Sequence, residues 1–467
     1  KDYLNIIKSR EHIVTIKNIL FIFILALTVR SGYALLFVEG NNLILEDQMM
    51  YIQIGKAMAE TGDFLQTTSG GYITVTERLP GYPALIALVY TLFGESNMAV
   101  VAAQILIDSF TCVIIALIVE SVVTGGLLVA GIVSALNLGM IILSGMILTD
   151  TLFLFLFSIF ILFLLKYLRQ PTSLHMLVAI SFLCIATLAR PVSYYLVLAL
   201  LPLLMVFFVW KKIPFKQAMY TLLLYIIPVV IVFGSMHYRN YTEYNSFSLT
   251  NQGGGHTLHW VVPAAYQYSG QGSYQEGQLL AKDYLEDSMR RDKFKMSTTN
   301  PFENSAYKMQ VAKEVLIDLG LLNILHAWSA ATVVNLLSPS IAYAPVARSM
   351  KHPSFYETPG DGAINKLFNY VTNTDSFLYL SIITIGTIFS IVFLIISIFG
   401  FYRMIKFEWL IGNNKEILLF LLFIIIYFIA ITGPIVGVKY RLPMESIMTI
   451  FFSYALVKYG NKRTSNE

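Results

Sequence analysis

Long apolar runs separated by short polar segments set the basic plan of the chain. A helix needs about 20 mostly apolar residues to cross the hydrocarbon core of a bilayer. Ten runs meet or approach this length, and they lie at 18–38, 97–119, 122–142, 150–168, 174–190, 192–210, 217–235, 376–402, 416–434 and 444–459. The pattern therefore predicts an all-α polytopic membrane protein with about ten transmembrane helices.

The first of two segments too polar for lipid is the external loop 39–96. It opens with Asp47 to Ala59, in which Met50, Ile54, Ala57 and Met58 recur at helical spacing. This predicts an amphipathic helix that lies flat on the membrane surface. The glycines and prolines between 62 and 83 are expected to break regular structure before the chain re-enters the bilayer.

The second polar segment, 236–375, is the large external loop region. It contains a Gly-rich loop at 253–255, a charged helix-like stretch at 277–295 and a semi-apolar stretch at 321–337. We interpret the last stretch as interfacial, because an eleventh span would move the basic C-terminal tail to the opposite side.

Three parts follow from this plan. Residues 1–235 form a transmembrane catalytic module that includes the loop 39–96, residues 236–375 form the large external loop region, and residues 376–467 form the C-terminal transmembrane helices.

Composition excludes several classes of protein. Of 467 residues, 56% are apolar and 13% charged, whereas soluble domains carry about 25% charge. A disordered chain, a nucleic-acid-binding arm and a typical soluble enzyme are therefore excluded. Cys112 and Cys184 lie in apolar runs and are expected to be packing thiols. Neither G-x-x-x-x-G-K-[ST] nor G-x-G-x-x-G after a strand occurs, so no nucleotide cofactor is expected.

The short loops predict the orientation, because basic residues concentrate on the cytoplasmic side. With the N-terminus inside, five basic residues fall in the short outer loops: Lys56, Arg78, Arg190, Lys439 and Arg441. Fifteen fall in the cytoplasmic segments: Lys1, Lys8, Arg10, Lys17, Lys166, Arg169, Lys211, Lys212, Lys216, Arg403, Lys406, Lys415, Lys458, Lys462 and Arg463. Both termini are therefore predicted to be cytoplasmic.

Charges within predicted spans are costly and need partners or a function. Arg30 and Asp108 lie at comparable depth in the first two spans. An ion pair that joins the two helices is the favoured interpretation. A direct role toward substrate and outward snorkelling of Arg30 are the alternatives.

A second group of charged residues lies at the predicted outer ends of the spans, although its members are far apart in the sequence. These residues are Asp47, Asp150, Arg190, Lys439 and Arg441. For any one of them a solvated rim is the alternative interpretation. Together they predict a site at the membrane interface, in which carboxylates accept protons and arginines bind an anion such as phosphate. This is chemistry suited to a lipid-linked phosphate.

Short motifs in order along nearly the whole chain resemble those of GT-C glycosyltransferases. The most specific is the block from Glu46-Asp47 to Pro80-Gly81-Tyr82-Pro83. Further matches are Leu148-Thr149-Asp150, Ala189-Arg190-Pro191, Tyr238-Arg239-Asn240 and Tyr440-Arg441-Leu442-Pro443. The likeness is greatest to the bacterial branch related to protein O-mannosyltransferases and the lipid A aminoarabinose transferase.

This resemblance implies transfer of a sugar from a polyprenyl-phosphate donor to an acceptor hydroxyl, with inversion, at the outer face of the bacterial cytoplasmic membrane. Asp47 matches the aspartate that acts at the reaction centre, and is expected to be the general base. Asp150 matches a second acidic position and is expected to be a second carboxylate, an acceptor contact or a helix cap. The acceptor is an envelope glycan, lipid or protein, and no nucleic-acid partner is expected.

The resemblance also implies the residues that contact substrate. Arg78 is the leading candidate to stabilise the leaving phosphate, with pairing to Glu77 or Asp63 as the alternative. The other candidate substrate contacts are Arg190, Arg441, Tyr51, Tyr82 and Arg239.

A divalent metal is a further possibility, because some relatives bind one through a glutamate and a histidine. Glu77 and His256 are the nearest matches for these positions. A structural site would need four ligands, and ordinary hydrogen bonding by the loop histidines is the alternative.

Two other functions share much of this pattern. A flippase or transporter for lipid-linked sugars would also suit aromatic spans, but the inverted repeats and paired broken helices typical of alternating access are not recognised in the sequence. A glycan polymerase or ligase that joins whole lipid-linked oligosaccharides is not separated from a single-sugar transferase by the sequence.

Overall fold

A computed structural model describes residues 2–38, 46–68, 70–355, 357–409 and 415–464. They form an almost entirely helical chain. The α-helices are α1 (Asp2–Phe37), α2 (Glu46–Thr61), α3 (Gly81–Phe93), α4 (Asn97–Val122), α5 (Leu127–Ala135), α6 (Leu138–Ser144), α7 (Asp150–Arg169), α8 (Ser173–Ala189), α9 (Tyr194–Trp210), α10 (Phe215–Tyr244), α11 (Gln252–His256), α12 (Val262–Tyr268), α13 (Tyr274–Arg291), α14 (Pro301–Leu319), α15 (Leu321–Leu337), α16 (Pro345–Ser349), α17 (Gly362–Thr372), α18 (Phe377–Met404), α19 (Lys415–Thr432) and α20 (Leu442–Thr464).

Shorter elements join these helices. Strands β1 (Leu65–Thr68) and β2 (Gly71–Thr74) form an antiparallel hairpin. Three 3₁₀ turns and two π-helical turns lie at Pro191–Ser193, Ser340–Tyr343, Val438–Tyr440, Thr257–Val261 and Ile405–Trp409.

The predicted polytopic architecture is confirmed. In the described ranges, seven helices are long and apolar enough to cross a membrane, or nine if each of two bent pairs is one span. Every predicted span falls on a helix or a bent pair; the runs at 174–190 and 444–459 are the shorter apolar helices α8 and Leu442–Val457 of α20. The sidedness of the termini stays a prediction.

The predicted single span at 122–142 is wrong in detail, because α5 and α6 meet at an angle of 52°. Asn137 lies at the break and caps α6, its Oδ1 accepting from the Met140 amide at 3.0 Å. Its Nδ2 donates to Glu445 Oε2 of α20 at 2.6 Å. These side-chain hydrogen bonds of Asn137 favour the end of one helix and the start of another over one continuous helix.

The described part of the first external loop, 46–68 and 70–96, contains more regular structure than predicted. The amphipathic helix at Asp47 to Ala59 is confirmed as α2, and irregular structure occurs at 62–64 and 75–80, but a hairpin and the helix α3 also form in the segment of glycines and prolines. Gly70 and Gly71 lie at the hairpin turn, and Gly81 and Pro83 begin α3. Proline is tolerated there because the first amides of a helix have no intrahelical acceptor.

Two details of the large external loop region also differ from the prediction. α10 continues to Tyr244, beyond the predicted end at 235, and its 30 residues correspond to about 45 Å, more than a bilayer core of about 30 Å. The predicted Gly-rich loop at 253–255 lies within α11. The charged stretch at 277–295 is confirmed as helical by α13, and α15 meets α14 at 99°.

The charges inside the first two spans form a buried pair. Arg30 Nε lies 2.5 Å from Asp108 Oδ2, with the side chains 0% and 1% exposed. Arg30 also donates to the carbonyl of Ala135, at the end of α5, at 2.9 Å. The favoured interpretation of this pair is confirmed, and the Arg30 guanidinium joins α1, α4 and α5.

Gly81, at the start of α3, lies close against the backbone of α8, and we expect Gly81→Ala to destabilise the protein. A Cβ there would lie 2.6 Å from the Leu188 carbonyl carbon and 2.7 Å from the Ala189 amide nitrogen. Backbone cannot rotate away as a side chain can, so a cost of about 1–3 kcal/mol is expected. Thermal unfolding of the purified protein measures it. Gly32→Ala is the matched control, because no atom lies within 4 Å of its Cβ, and an equal loss in both variants would contradict the prediction.

Candidate active site

A cluster of three cations and two carboxylates lies where several membrane helices end. Asp47, in the first turn of α2, accepts from Arg78 through its Oδ1 at 2.8 Å. Lys439, from the 3₁₀ turn before α20, lies with its Nζ 3.8 Å from the other Asp47 oxygen. The Asp47 side chain is 39% exposed, while those of Arg78 and Lys439 are 13% and 19% exposed. Asp47 is thus the accessible acid of the cluster.

The second carboxylate is enclosed. Asp150 begins α7 and is 2% exposed, and it forms an ion pair and a hydrogen bond with Arg190, which follows α8. The Arg190 guanidinium carbon lies 5.7 Å from the centre of the Tyr440 ring, and Lys439 Nζ lies 5.7 Å from the same ring. Tyr440 therefore joins the two ion pairs into one cluster, which carries an excess of one positive charge.

Tyr51 and Tyr82 support the acidic end of the cluster. The Arg78 guanidinium carbon is 5.8 Å from the centre of the Tyr51 ring, whose edge meets Tyr82 at a centroid distance of 5.3 Å. Tyr82 is fully buried and its hydroxyl donates to Gln104 Oε1 at 2.5 Å. Tyr51 thus lies at the site, and the buried Tyr82 packs against it.

Lys439 was counted at the rim by sequence reasoning but not among the candidate binding residues. Burial by itself would lower the pKa of its ammonium, but Tyr440, Tyr343 and Asp150 raise it above its ordinary value. Lys439 is therefore charged. Its position just before Tyr440 in the motif ahead of the last span is the signal that could have identified it.

Two predicted arginines have other partners. Arg441 is 5% exposed and donates to Glu445 Oε1 at 2.6 Å and to the carbonyls of Leu336 and Ser338 at 2.8 and 3.0 Å. Arg239 donates from two nitrogens to Asn240 Oδ1 at 3.0 and 2.9 Å. The described contacts of Arg441 join the start of α20 to the end of α15, and those of Arg239 are local. Substrate binding by either residue stays a prediction.

The residues predicted to hold a metal do not fit one. Glu77 has an exposed side chain, and the pKa of His256 is lowered by burial and by the neighbouring cations Lys439 and Arg78. Cations beside a ligand disfavour a divalent ion. The described part of the chain has no group of three or more His, Cys, Asp and Glu residues placed to share a metal.

The segment that carries Lys439 is fixed by α15 of the large external loop region. Asn335 donates to the Ile435 carbonyl and accepts from the Gly437 amide, both at 2.8 Å. Trp328 Nε1 donates to the Ala430 carbonyl at 3.1 Å. Lys439 is therefore held by an element far away in the sequence.

We expect Asn335→Leu to loosen this segment. Asn335 is 4% exposed, so leucine would leave two backbone groups unpaired, each costing about 1–3 kcal/mol. A lower unfolding temperature and faster amide exchange at Gly437 would measure the effect. The control is Asn323→Leu in the same helix, because Asn323 donates only locally, to Leu319. Equal exchange at Gly437 in both variants would contradict the prediction.

Comparison with solved structures identifies the fold. The archaeal oligosaccharyltransferase AglB from Archaeoglobus fulgidus, in complex with an inhibitory peptide and a dolichol-phosphate, has 12% identity and a TM-score of 0.50. The match covers 95% of this chain and 50% of AglB, so the chain spans about half the length of that protein. AglB is a GT-C glycosyltransferase, and the predicted GT-C fold is confirmed.

Two further structures are similar at a lower level. ArnT from Cupriavidus metallidurans bound to undecaprenyl phosphate has 12% identity and a TM-score of 0.34, and its apo state has 11% and 0.35. Each match covers 97% of this chain and 77% of the other. No protein-family profile and no curated protein sequence matches the chain.

Proposed function

We propose that this chain of GT-C fold transfers a sugar from a polyprenyl-phosphate donor to an acceptor hydroxyl at the membrane surface. The observation that carries the proposal is the cluster of Asp47, Arg78, Asp150, Arg190 and Lys439, whose excess positive charge suits a phosphate. AglB, which has the same fold, is known in complex with a dolichol-phosphate. A charged site at the ends of apolar helices suits a substrate with a phosphate head and a hydrocarbon tail.

Asp47 is suited to be the general base because it is the exposed carboxylate of the cluster. In the proposed step the acceptor oxygen attacks the anomeric carbon as its proton moves to Asp47. The bond from the anomeric carbon to the phosphate oxygen breaks, and the phosphate leaves with the electron pair. Attack from the face opposite the leaving group inverts the configuration.

Arg78 and Lys439 flank Asp47 and are suited to stabilise the leaving phosphate. Positive charge placed where negative charge develops is the major source of such stabilisation. Asp150 keeps Arg190 in place beside Tyr440, and Arg441 fixes the turn that presents Lys439. Asp150, Arg190 and Arg441 are therefore proposed as positioning residues.

The test is transfer by the purified full chain in proteoliposomes, given a synthetic polyprenyl-phosphate hexose and an envelope extract as acceptor. We expect acceptor masses to rise by one hexose as free polyprenyl phosphate appears. Movement of the intact donor across the bilayer without cleavage would instead indicate a flippase. Increments of whole repeat units from lipid-linked oligosaccharide would indicate a polymerase or ligase.

We expect Lys439→Met to slow this transfer about 10- to 100-fold, because a hydrogen bond to a charged group contributes about 1.5–3 kcal/mol. Initial rates at saturating donor measure the loss. Lys56→Met is the matched control, since Lys56 pairs with Glu95 at the exposed surface of the first external loop. Full activity of the Lys439 variant would remove this residue from the mechanism.

A further inference from the structure

Helix α17 carries an apolar stripe that the described residues leave uncovered. Ile364, Leu367, Phe368 and Val371 are 85%, 57%, 67% and 46% exposed. Spacings of three, one and three residues place them on one face of a helix. A contiguous exposed apolar surface of this kind marks contact with a protein or a membrane.

The opposite side of α17 is fixed to the protein. Lys366 is fully buried, and its Nζ donates to Gln267 Oε1 of α12 at 2.6 Å and lies 4.9 Å from the centre of the Phe355 ring. The hydroxyls of Tyr370 and Tyr379 are hydrogen-bonded, which joins α17 to α18. These contacts prevent rotation of the apolar stripe toward the protein core.

A polar stripe runs along a third side of the helix. Asn365 and Thr372 are exposed, and Asn369 is half-buried with its Nδ2 donating to the Pro359 carbonyl at 2.9 Å. These residues lie roughly a quarter-turn or more from the apolar stripe at 100° per residue. Adjacent apolar and polar stripes are typical of a helix that lies in the plane of a membrane interface.

The chain that follows keeps α17 near the bilayer. α17 ends at Thr372, and the membrane-spanning helix α18 begins at Phe377. The five steps between neighbouring Cα atoms from Thr372 to Phe377 span at most about 17 Å. Phe377 and Leu378 are 84% and 61% exposed, so the first turn of this span also presents apolar side chains outward.

We propose that α17 is an interfacial helix whose stripe of Ile364, Leu367, Phe368 and Val371 inserts into the phospholipid surface on the side of the membrane that carries the cluster. The partner is the bilayer itself, at the boundary of headgroups and acyl chains. This binding surface lies outside the cluster and does not depend on the proposed transferase activity.

The test places a nitroxide on the full chain in nanodiscs of phosphatidylethanolamine and phosphatidylglycerol. Ile364→Cys and Phe368→Cys report on the stripe, Asn365→Cys on the polar side, and Leu279→Cys on α13 is the exposed control, its parent residue being 60% exposed. Spectra of the unsubstituted chain correct for Cys112 and Cys184, which are buried. Unchanged thermal unfolding shows that each variant is folded.

We expect labels at 364 and 368 to collide more with oxygen, which concentrates in lipid, than with a water-soluble nickel chelate. At 279 we expect the label to collide more with the nickel chelate than with oxygen. At 365 the ratio of oxygen to nickel collisions should lie between the values for the stripe and for 279. Nickel accessibility at 364 and 368 equal to that at 279 would place the stripe in water and overturn the proposal. Low accessibility to both reagents, with or without dipolar coupling between labels on two chains, would also overturn it, since a protein surface would then cover the stripe.

Discussion

Asp47→Asn is expected to abolish sugar transfer while the protein still inserts and folds. The substitution keeps the size of the side chain and removes its capacity to accept a proton, and general bases contribute about 10²- to 10⁴-fold to rate. The amide oxygen still accepts a hydrogen bond from Arg78, which now lies 2.8 Å from the carboxylate. Single-turnover transfer in proteoliposomes, with yield and thermal unfolding measured on the same sample, tests the prediction.

Asp63→Asn is the matched control for this experiment. Asp63 belongs to the same external loop and is exposed, and its hydrogen bonds in the described structure, with the Thr61 hydroxyl and the Leu65 amide, use its backbone atoms. It should transfer sugar at the rate of the unsubstituted chain. Normal transfer by Asp47→Asn would remove Asp47 as the base, and a transferase without that base would then need another proton acceptor, with Asp150 the next carboxylate to substitute.

Asp108→Ala is expected to be the most destabilising change in the membrane interior. Removal of one partner of a buried ion pair leaves an uncompensated charge and costs about 3–5 kcal/mol. Arg30 would keep the carbonyls of Ala135 and Ser134 and the Cys112 sulfur as acceptors, but no carboxylate. The midpoint of unfolding in detergent should fall accordingly.

An apolar double variant distinguishes lost packing from unpaired charge. Arg30→Met with Asp108→Leu removes both charges, so it should recover much of the stability lost by Asp108→Ala. Glu95→Ala is the control for an exposed ion pair. It removes the pair between Lys56 and Glu95, whose side chains are 41% and 57% exposed, and should cost less than about 1 kcal/mol. A double variant less stable than Asp108→Ala would show that hydrogen bonding by Arg30 to the backbone, rather than charge compensation, holds the three helices.

The sequence predicted best those helices whose position follows from the local pattern of apolar residues. The spans and α2 follow from apolar runs and helical spacing, and Arg30 with Asp108 could be paired because both charges needed a partner at one depth. The bend at Asn137 was missed because its cause is a bond to Glu445, far away in the sequence. The helix α3 was missed because Pro83 counts as a breaker unless the helix start is already known.

For the candidate site, the sequence predicted which residues belong to it better than how they pair. Asp47, Asp150 and Arg190 were identified because charged residues at the ends of spans are few, and Arg78 was identified through the resemblance of the first external loop. Their division into the pairs Asp47 with Arg78 and Asp150 with Arg190 depends on how the helices pack. Arg441 was assigned to substrate binding because its type suits phosphate; besides its pair with Glu445, it donates to the carbonyls of Leu336 and Ser338, which the sequence does not place beside it.

The contact between Asp47 and Lys439 also bears on biosynthesis. These residues lie near opposite ends of the chain, and Lys439 is supplied by the turn between α19 and α20. During synthesis from the N-terminus, every preceding span enters the bilayer while the cluster still lacks that cation. An intermediate that ends before this turn would therefore hold only two of the three cations of the cluster, and we expect it to show a defect at least as large as that of Lys439→Met.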